Sequence, residues 1–128
     1  MKNYDMKEFR CRCGCEMPEK VKVNIKMLVD NVLDPLREVF GKPIYVSSGY
    51  RCQKHNRAVG GATKSQHLGG QAADITADSP AMNTVLAKII VEHLPFDQLI
   101  LERRDKSGNP QWLHVSYASS NRKEVLLK

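Results

Sequence analysis

The sequence predicts a single domain in which helices alternate with short β-strands. Its 128 residues fit one domain of the usual size, large enough to bury a core without additional cross-links. Apolar residues recur every three or four positions in two long stretches, which is the period of a helix with one buried face. Shorter stretches rich in β-forming residues lie between and after these helices. We therefore assign residues 1–128 to one domain.

The first third of the chain predicts an irregular lead-in and a core helix. Residues 1–19 carry three cysteines, and we expect them to pack against the rest of the domain. The helical pattern runs from Lys20 to Phe40. Pro35 lacks an amide donor and disfavours helical geometry at the residue before it, so we expect a kink or a break there. Gly41 ends the helix.

The middle of the chain predicts two strands and a second helix. Residues 43–48 and 72–76 are rich in β-forming residues and predict short strands. The segment between them, residues 52–66, is predicted to be a loop with about one helical turn. The pair Ser79-Pro80 is typical of a helix N-terminus, and the apolar pattern after it continues to a helix end near Pro95.

The last predicted element is an antiparallel hairpin formed by residues 98–104 and 111–117, which flank a turn-rich connection. We expect Glu102 to lie opposite His114. Because side chains alternate along a strand, apolar residues then share one face while Glu102 and His114 share the other. A register shifted by one residue would mix the two sets. The predicted apolar face consists of Leu99, Leu101, Leu113, Val115 and Tyr117.

Composition and charge exclude several classes of protein. Residues 1–10 are polar and charged, and no apolar segment approaches ~18 residues, so we expect neither a signal peptide nor a membrane span. The expected site of synthesis is the cytoplasm. The formal net charge of +6 favours anionic partners such as cell-wall polymer or substrate carboxylates. Lysine and arginine are spread along the chain rather than clustered with aromatic residues, which argues against nucleic-acid binding.

Four cysteines form a separate feature of the sequence. Cys11, Cys13 and Cys15 follow one another as Cys-x-Cys-x-Cys, and Cys52 lies far along the chain. The first three are too close in sequence to pair comfortably with one another. Two interpretations stay open: free thiols in a reducing cytosol, or a structural role as a disulfide to Cys52 or a second metal site.

Two segments carry side chains that bind metals. The first runs from Ser65 through His67 to Asp74, and the second is Trp112-Leu113-His114-Val115-Ser116. His67, Asp74 and His114 offer two imidazoles and one carboxylate, and three protein ligands leave a fourth tetrahedral position for water, as in catalytic zinc sites. Zinc held in this way keeps a net charge near +1 and lowers the pKa of a bound water to about 7. The pattern therefore predicts a zinc hydrolase.

A zinc hydrolase also needs a general base, and Glu102 is our first candidate. Directly opposed residues of an antiparallel pair have Cβ atoms about 4.5 to 5.5 Å apart, so a glutamate opposite His114 would reach a zinc-bound water. Asp105, in the predicted turn, is the second candidate. Gln111 cannot act as a base, because an amide does not take up protons at working pH.

Two further residues are candidates for binding substrate. Arg51 follows a predicted strand, and its planar guanidinium suits bidentate pairing with a substrate carboxylate. Ser65 is placed to add a hydrogen bond to the substrate or the site. We assign no role to His55 or His93, since a lone histidine is more often a surface or core residue than a ligand.

At these residues the chain resembles the zinc D-Ala-D-Ala carboxypeptidase family of bacterial peptidoglycan peptidases. This family includes phage endolysins that cleave the L-Ala-D-Glu bond, and it is related in fold to the Hedgehog signalling domain. The resemblance covers most of the chain and rests on these segments: Ser48-Gly49-Tyr50-Arg51, His55-Asn56, Val59-Gly60-Gly61, Ser65-x-His67-x6-Asp74, Asp97-Gln98-Leu99-Ile100-x-Glu102 and Trp112-x-His114-x-Ser116.

The resemblance implies an α+β fold, in which helices pack on one face of an antiparallel sheet and the open face holds zinc through His67, Asp74 and His114. It also implies that Arg51 binds substrate. Many family members carry an acidic catalytic residue three positions before the last zinc histidine, and here that position is Gln111. Either the base has moved to Glu102 or the activity is impaired.

We therefore expect a zinc-dependent monomeric peptidase that hydrolyses a bond in the peptidoglycan stem peptide, in the manner of a D-Ala-D-Ala carboxypeptidase or an L-Ala-D-Glu endopeptidase. The missing export signal fits a phage or prophage lytic enzyme that reaches the cell wall after phage-type release. The alternative is a catalytically silent zinc-containing module that binds cell wall or protein. A basic nucleic-acid-binding protein that uses the Cys-x-Cys-x-Cys segment as a metal site is a weaker alternative.

Overall fold

A computed structural model describes all 128 residues and contains four α-helices and five β-strands. The helices are α1 (Glu19–Leu28), α2 (Asp34–Phe40), α3 (Gln53–Ala58) and α4 (Pro80–His93). The strands are β1 (Tyr45–Ser48), β2 (Ala72–Thr76), β3 (Gln98–Glu102), β4 (Trp112–Ser116) and β5 (Glu124–Leu127). Short 3-10 turns lie at Met6–Phe9 and Gln66–Gly69. None of the helices combines the length and the apolar character needed to cross a bilayer.

The strands form one sheet in the order β1-β2-β4-β3-β5. The first three pairs in this order are antiparallel, whereas β5 joins parallel to β3. The fold is therefore α+β with a mostly antiparallel sheet, consistent with a Hedgehog/DD-peptidase-like fold, and this confirms the expected fold class. β5 could not be predicted from the sequence, because its four residues give a weak periodic signal and long-range parallel pairing holds the strand in place.

The long first helix is not a regular α-helix. Between α1 and α2, residues 29–33 form a π-helical turn, in which the Asp34 N–H donates to the Val29 carbonyl. Pro35 explains this geometry, because it has no N–H and its ring would collide with the carbonyl four residues earlier in a regular α-helix. The discontinuity expected at Pro35 therefore takes the form of a widened turn just before it.

The core lies between the helices and one face of the sheet. Leu99 lies opposite Val115 and Leu101 lies opposite Leu113 in the β3–β4 pair, so the predicted apolar face is confirmed. The fully buried members of this core from the sheet and helices include Ala73, Ile75, Leu99, Leu113, Val115, Leu28, Leu33, Leu36, Leu86 and Ile90. The opposite face of the sheet carries polar side chains instead.

The register of the hairpin differs from the prediction. Ile100 lies opposite His114, and Glu102 lies opposite Trp112, so Glu102 is a diagonal neighbour of His114 rather than its direct partner. The expected pairing of Glu102 with His114 is therefore wrong by two residues. Because the side-chain period of a strand is two, this shift leaves every side chain on its predicted face.

The connection between the two strands explains this register. The Gln111 N–H donates to the Glu102 carbonyl at 2.9 Å, which ends the pairing two residues earlier than expected. Within the connection, the Asp105 carboxylate accepts from the Ser107 and Asn109 amides, both at 2.9 Å. These local hydrogen bonds favour a longer loop than the sequence pattern indicates.

The cysteine-containing lead-in packs against the rest of the chain. Phe9 is fully buried, and its carbonyl accepts from the Tyr50 N–H at 2.8 Å. Nearer the start, the amides of Lys2 and Asn3 donate to the buried carboxylate of Asp34 at 2.7 and 3.0 Å. The lead-in therefore lies beside both α2 and the loop that follows β1.

Candidate metal centre and active-site groove

The three candidate zinc ligands come from three different elements and meet on the open face of the sheet. Asp74 lies in β2 directly opposite His114 in β4, so antiparallel pairing places the two side chains next to each other. His67 lies in the 3-10 turn at Gln66–Gly69, which precedes β2. All three residues are buried.

The donor atoms of these residues converge at separations that suit a tetrahedral metal. His67 Nε2 is 3.2 Å from Asp74 Oδ1 and 3.2 Å from His114 Nδ1, and His114 Nδ1 is 3.4 Å from Asp74 Oδ1. Zinc–ligand bonds of about 2.0 to 2.1 Å in a regular tetrahedron place the ligand atoms about 3.3 to 3.4 Å apart. The two nitrogens and one oxygen therefore have the spacing of three ligand atoms of a tetrahedral metal site.

The His67 ring is held in the tautomer that metal binding requires. Its Nδ1 lies 2.7 Å from the Gly49 carbonyl, and a carbonyl can only accept, so Nδ1 carries the hydrogen and Nε2 keeps its lone pair. On His114, Nδ1 faces the other two ligands, and Nε2 is buried without a hydrogen-bond partner in the protein. Both rings thus present one nitrogen to the centre.

Asp74 is ionised in this environment. Burial opposes its ionisation, but its close contacts with the His114 and His67 rings outweigh burial and hold the pKa of Asp74 well below its ordinary value. Its Oδ2 also accepts from Arg51 Nη2 at 3.3 Å. A negatively charged oxygen is therefore available to a cation at neutral pH.

A groove of about 540 Å³ extends from this centre over the open face of the sheet. Glu102 lines the groove, and it is the only carboxylate there besides Asp74. As a diagonal neighbour of His114, its Cα lies about 7 to 8 Å away, a separation that long side chains still span. Its side chain makes no hydrogen bond within the protein, so its oxygens are available to a ligand in the groove.

The other two residues considered for the base lie outside the groove. Asp105 is exposed, and its carboxylate accepts from two amides of its own turn. Gln111 is exposed directly before β4 and contributes only its backbone to the hairpin. Neither side chain reaches the metal centre.

Both predicted substrate-binding residues line the groove, and both also support the centre. Arg51 donates to the Ser48 hydroxyl, the Asn56 amide oxygen and the Asp74 carboxylate, each at 3.3 Å. These contacts use three of its five N–H donors. The Ser65 hydroxyl accepts from the His67 N–H at 3.2 Å and so caps the turn that carries this ligand.

An ion pair beside the groove, between buried Asp97 and exposed Arg122, was not predicted from the sequence. Asp97 is buried and accepts from Arg122 Nε and Nη2, both at 2.9 Å, and from Gln66 Nε2 at 2.7 Å. The hydrogen bond from Arg122 is the main reason that the pKa of Asp97 falls to about 2. An aspartate just before an apolar strand was the available signal, but nothing in the sequence identifies its partners.

The groove is mainly basic. Its cationic lining residues are Arg51, Lys64, Arg122 and Lys128. The acidic side chains that line the groove are Asp74 and Glu102. This excess of positive charge favours a ligand that carries carboxylates.

Comparison with known proteins agrees with this geometry. The family model described as Peptidase M15 matches residues 2–116, which include the lead-in, all three candidate ligands and Glu102. No curated protein matches the chain. Since the match covers most of the sequence, this chain belongs to the peptidase M15 family.

Proposed function

We propose that this M15 peptidase is zinc-dependent and hydrolyses a peptide bond in the stem peptide of bacterial peptidoglycan. The observation that carries the proposal is the convergence of one carboxylate oxygen and two imidazole nitrogens within 3.4 Å of one another, at the base of a groove that also contains Glu102. Three protein ligands are the number that catalytic zinc sites use.

His67, Asp74 and His114 would hold the ion. When bound, zinc supplies Lewis-acid polarisation of the scissile carbonyl and a lowered pKa for the attacking water. Glu102 would act as the general base, taking a proton from the attacking water and passing it to the nitrogen of the leaving amine. The Gly49 carbonyl keeps the His67 ring in one orientation, and Arg51 does the same for the Asp74 carboxylate.

The basic lining of the groove supports a substrate with free carboxylates. Arg51 has two N–H donors that no protein group uses, so it can bind a substrate carboxylate while it keeps its contact with Asp74. The Ser65 hydroxyl accepts from the backbone, and its own hydrogen remains available to a substrate carbonyl. Stem peptides carry such carboxylates, both at the terminal D-Ala and on the side chains.

The proposal has two candidate scissile bonds: the terminal D-Ala-D-Ala bond and the internal L-Ala-D-Glu bond. A lytic role for a phage or prophage would require the second type of cleavage or cleavage of a cross-link. The net charge of +6 supports action on an anionic wall polymer in either case.

The test is incubation of the zinc-loaded protein with purified muropeptides that contain each bond, followed by mass measurement of the products. We expect release of either D-Ala or a tri- or tetrapeptide lacking L-Ala. Glu102→Gln serves as the matched inactive control, because it keeps the zinc ligands. Complete inertness of the zinc-loaded protein across the panel would overturn the proposal and favour the catalytically silent binding module. Gln111, at the position where many family members carry an acidic catalytic residue, is the sequence feature that favours this alternative.

A further inference from the structure

The four cysteines of the chain form one cluster, separate from the groove residues. Their sulfur atoms all lie within 4.8 Å of one another. Cys11 Sγ is 3.3 Å from Cys13 Sγ and 3.8 Å from Cys52 Sγ, and Cys13 Sγ is 3.5 Å from Cys52 Sγ. Cys15 completes the group. None of the four is bonded to another as a disulfide.

These separations are those of a tetrahedral thiolate site. Zinc–sulfur bonds of about 2.3 Å in a regular tetrahedron place the sulfurs about 3.8 Å apart. Four protein thiolates fill all positions of the ion, which is the arrangement of structural zinc. We propose that Cys11, Cys13, Cys15 and Cys52 bind a second zinc ion with a structural role.

The local backbone builds this cluster. The Gly14 N–H donates to the Cys11 carbonyl at 3.0 Å, and Gly14 has a φ of 84°, a left-handed conformation that residues with a Cβ rarely adopt. The resulting turn lets sulfurs two residues apart face the same point. Any side chain in place of the Gly14 hydrogen would strain the turn that brings the sulfurs together.

Backbone amides also point at the sulfurs. The Cys52 N–H donates to Cys11 Sγ and the His55 N–H donates to Cys52 Sγ, both at 3.4 Å. Amide hydrogen bonds of this kind stabilise thiolates and orient them around a metal. Two of the four sulfurs therefore already have an amide donor that would stabilise a thiolate.

A disulfide explains the cluster less well. A disulfide between Cys11 and Cys52 would use two sulfurs and leave Cys13 and Cys15 crowded against them without a function. The structure instead places each of three sulfurs near both others at similar distances, with the fourth in the same group. A single zinc ion bound by all four thiolates would account for every sulfur in the cluster.

The position of the cluster indicates what the ion does. It joins the lead-in to the residue directly after Arg51, in the loop whose Gly49 carbonyl orients His67. Phe9 and Tyr50 are joined by a backbone hydrogen bond within the same region. The second ion therefore stabilises the loop that positions two of the catalytic-site ligands.

The test counts metal in the full-length protein purified under reducing conditions with zinc. We expect two zinc ions per chain, one after Cys15→Ser and one after His114→Ala, because each substitution removes a ligand from only one of the two sites. After cobalt replaces zinc, strong near-ultraviolet thiolate-to-cobalt absorption should persist in His114→Ala and disappear in Cys15→Ser. The Cys15→Ser readout identifies the thiolate site, whereas His114→Ala reports on the groove site, so failure of one assignment is distinguishable from failure of the other.

A second measurement needs no variant and therefore does not depend on the folding of Cys15→Ser. In the zinc-loaded wild-type protein, the four thiols should react slowly with an alkylating reagent and rapidly after chelation. Rapid reaction before chelation, absence of thiolate-to-cobalt absorption in the wild type, or recovery of a disulfide from reduced and zinc-loaded protein would each overturn the proposal.

Discussion

At the residue scale, Asp74 connects the metal centre to its support. Its Oδ1 faces both imidazoles, and its Oδ2 accepts from Arg51. Arg51 in turn contacts Ser48 and Asn56, so the carboxylate cannot rotate without breaking several contacts. These contacts fix the geometry of the candidate metal site, and such fixed geometry would lower the cost of ordering the three side chains around an ion.

The first prediction concerns Glu102. Glu102→Gln keeps the shape of the side chain but removes its ability to accept a proton, so hydrolysis of the stem peptide should fall by about 10²- to 10⁴-fold. Zinc content, measured by metal analysis, should stay unchanged. The matched control is Asp105→Asn, which lies outside the groove and should retain wild-type activity. A larger loss in the control than in Glu102→Gln would refute the assignment of the base.

The second prediction concerns Arg51. Arg51→Lys keeps the charge but cannot contact Ser48, Asn56 and Asp74 together, so the affinity for zinc should fall by about 10-fold or more. Competition with a chromophoric chelator measures this affinity. Arg57→Lys, on the exposed surface of α3, is the control and should bind zinc as the wild type does. Unchanged affinity in Arg51→Lys would mean that the arginine does not support the ligand set.

At the scale of elements, the loop between β1 and α3 does more for the site than its length suggests. Its Gly49 carbonyl accepts from His67, and the next residue pairs with Phe9 of the lead-in. The lead-in approaches so closely that a Cβ on Gly49 would lie 2.7 Å from Phe9 Cα. The lead-in, the loop after β1 and the turn that carries His67 therefore meet at Gly49, although they are distant in sequence.

The third prediction follows from this contact. Gly49→Ala forces backbone against backbone, so the free energy of unfolding should fall by about 1 to 3 kcal/mol. Zinc affinity should fall too, since the shifted carbonyl no longer orients His67. Urea unfolding of the metal-free protein separates the two effects. Gly69→Ala is the control, because the nearest atom to its Cβ would be 3.7 Å away, and it should change stability by less than about 0.5 kcal/mol.

At the scale of the whole molecule, Asp97 joins parts of the chain that no single element connects. It accepts from Gln66, in the turn that carries His67, and from Arg122, just before β5. Its own carbonyl accepts from the Glu124 N–H at 3.0 Å. The ion pair therefore couples the turn that carries His67 to the edge strand of the sheet.

The fourth prediction is a pH dependence of stability. The pKa of Asp97 is about 2 in the folded protein, and an unfolded aspartate has a pKa of about 3.9. Because the folded value is the lower one, this carboxylate stabilises the fold fully above about pH 5, and the contribution is lost as the pH falls toward 2. The free energy of unfolding should therefore drop by about 2 kcal/mol more in the wild type than in Asp97→Asn over this range.

Urea unfolding at several pH values measures this difference, and contributions from other carboxylates cancel between the two proteins. Asp78→Asn, at an exposed position without side-chain hydrogen bonds, is the control and should keep the wild-type slope. Parallel curves for the wild type and Asp97→Asn would show that the ion pair does not stabilise the folded state.

Much of the fold could be predicted from local patterns. Both long helices, β1 to β4 and the two faces of the hairpin follow from periods of about 3.6 and two residues, which depend on near neighbours only. The predicted hairpin register was wrong because the connection that contains Asp105 is longer than the sequence pattern indicated. β5 was missed because its stability comes from pairing with β3 rather than from its own four residues.

The sequence by itself determined which side chains can bind a metal and on which face of the sheet His114 and Glu102 lie, because alternation along a strand is a local property. Only the tertiary structure decided that His67, Asp74 and His114 meet within 3.4 Å, that Arg122 pairs with Asp97 and that Cys52 joins the other thiols. These distances depend on how distant segments pack. No short-range pattern in a chain encodes such packing directly.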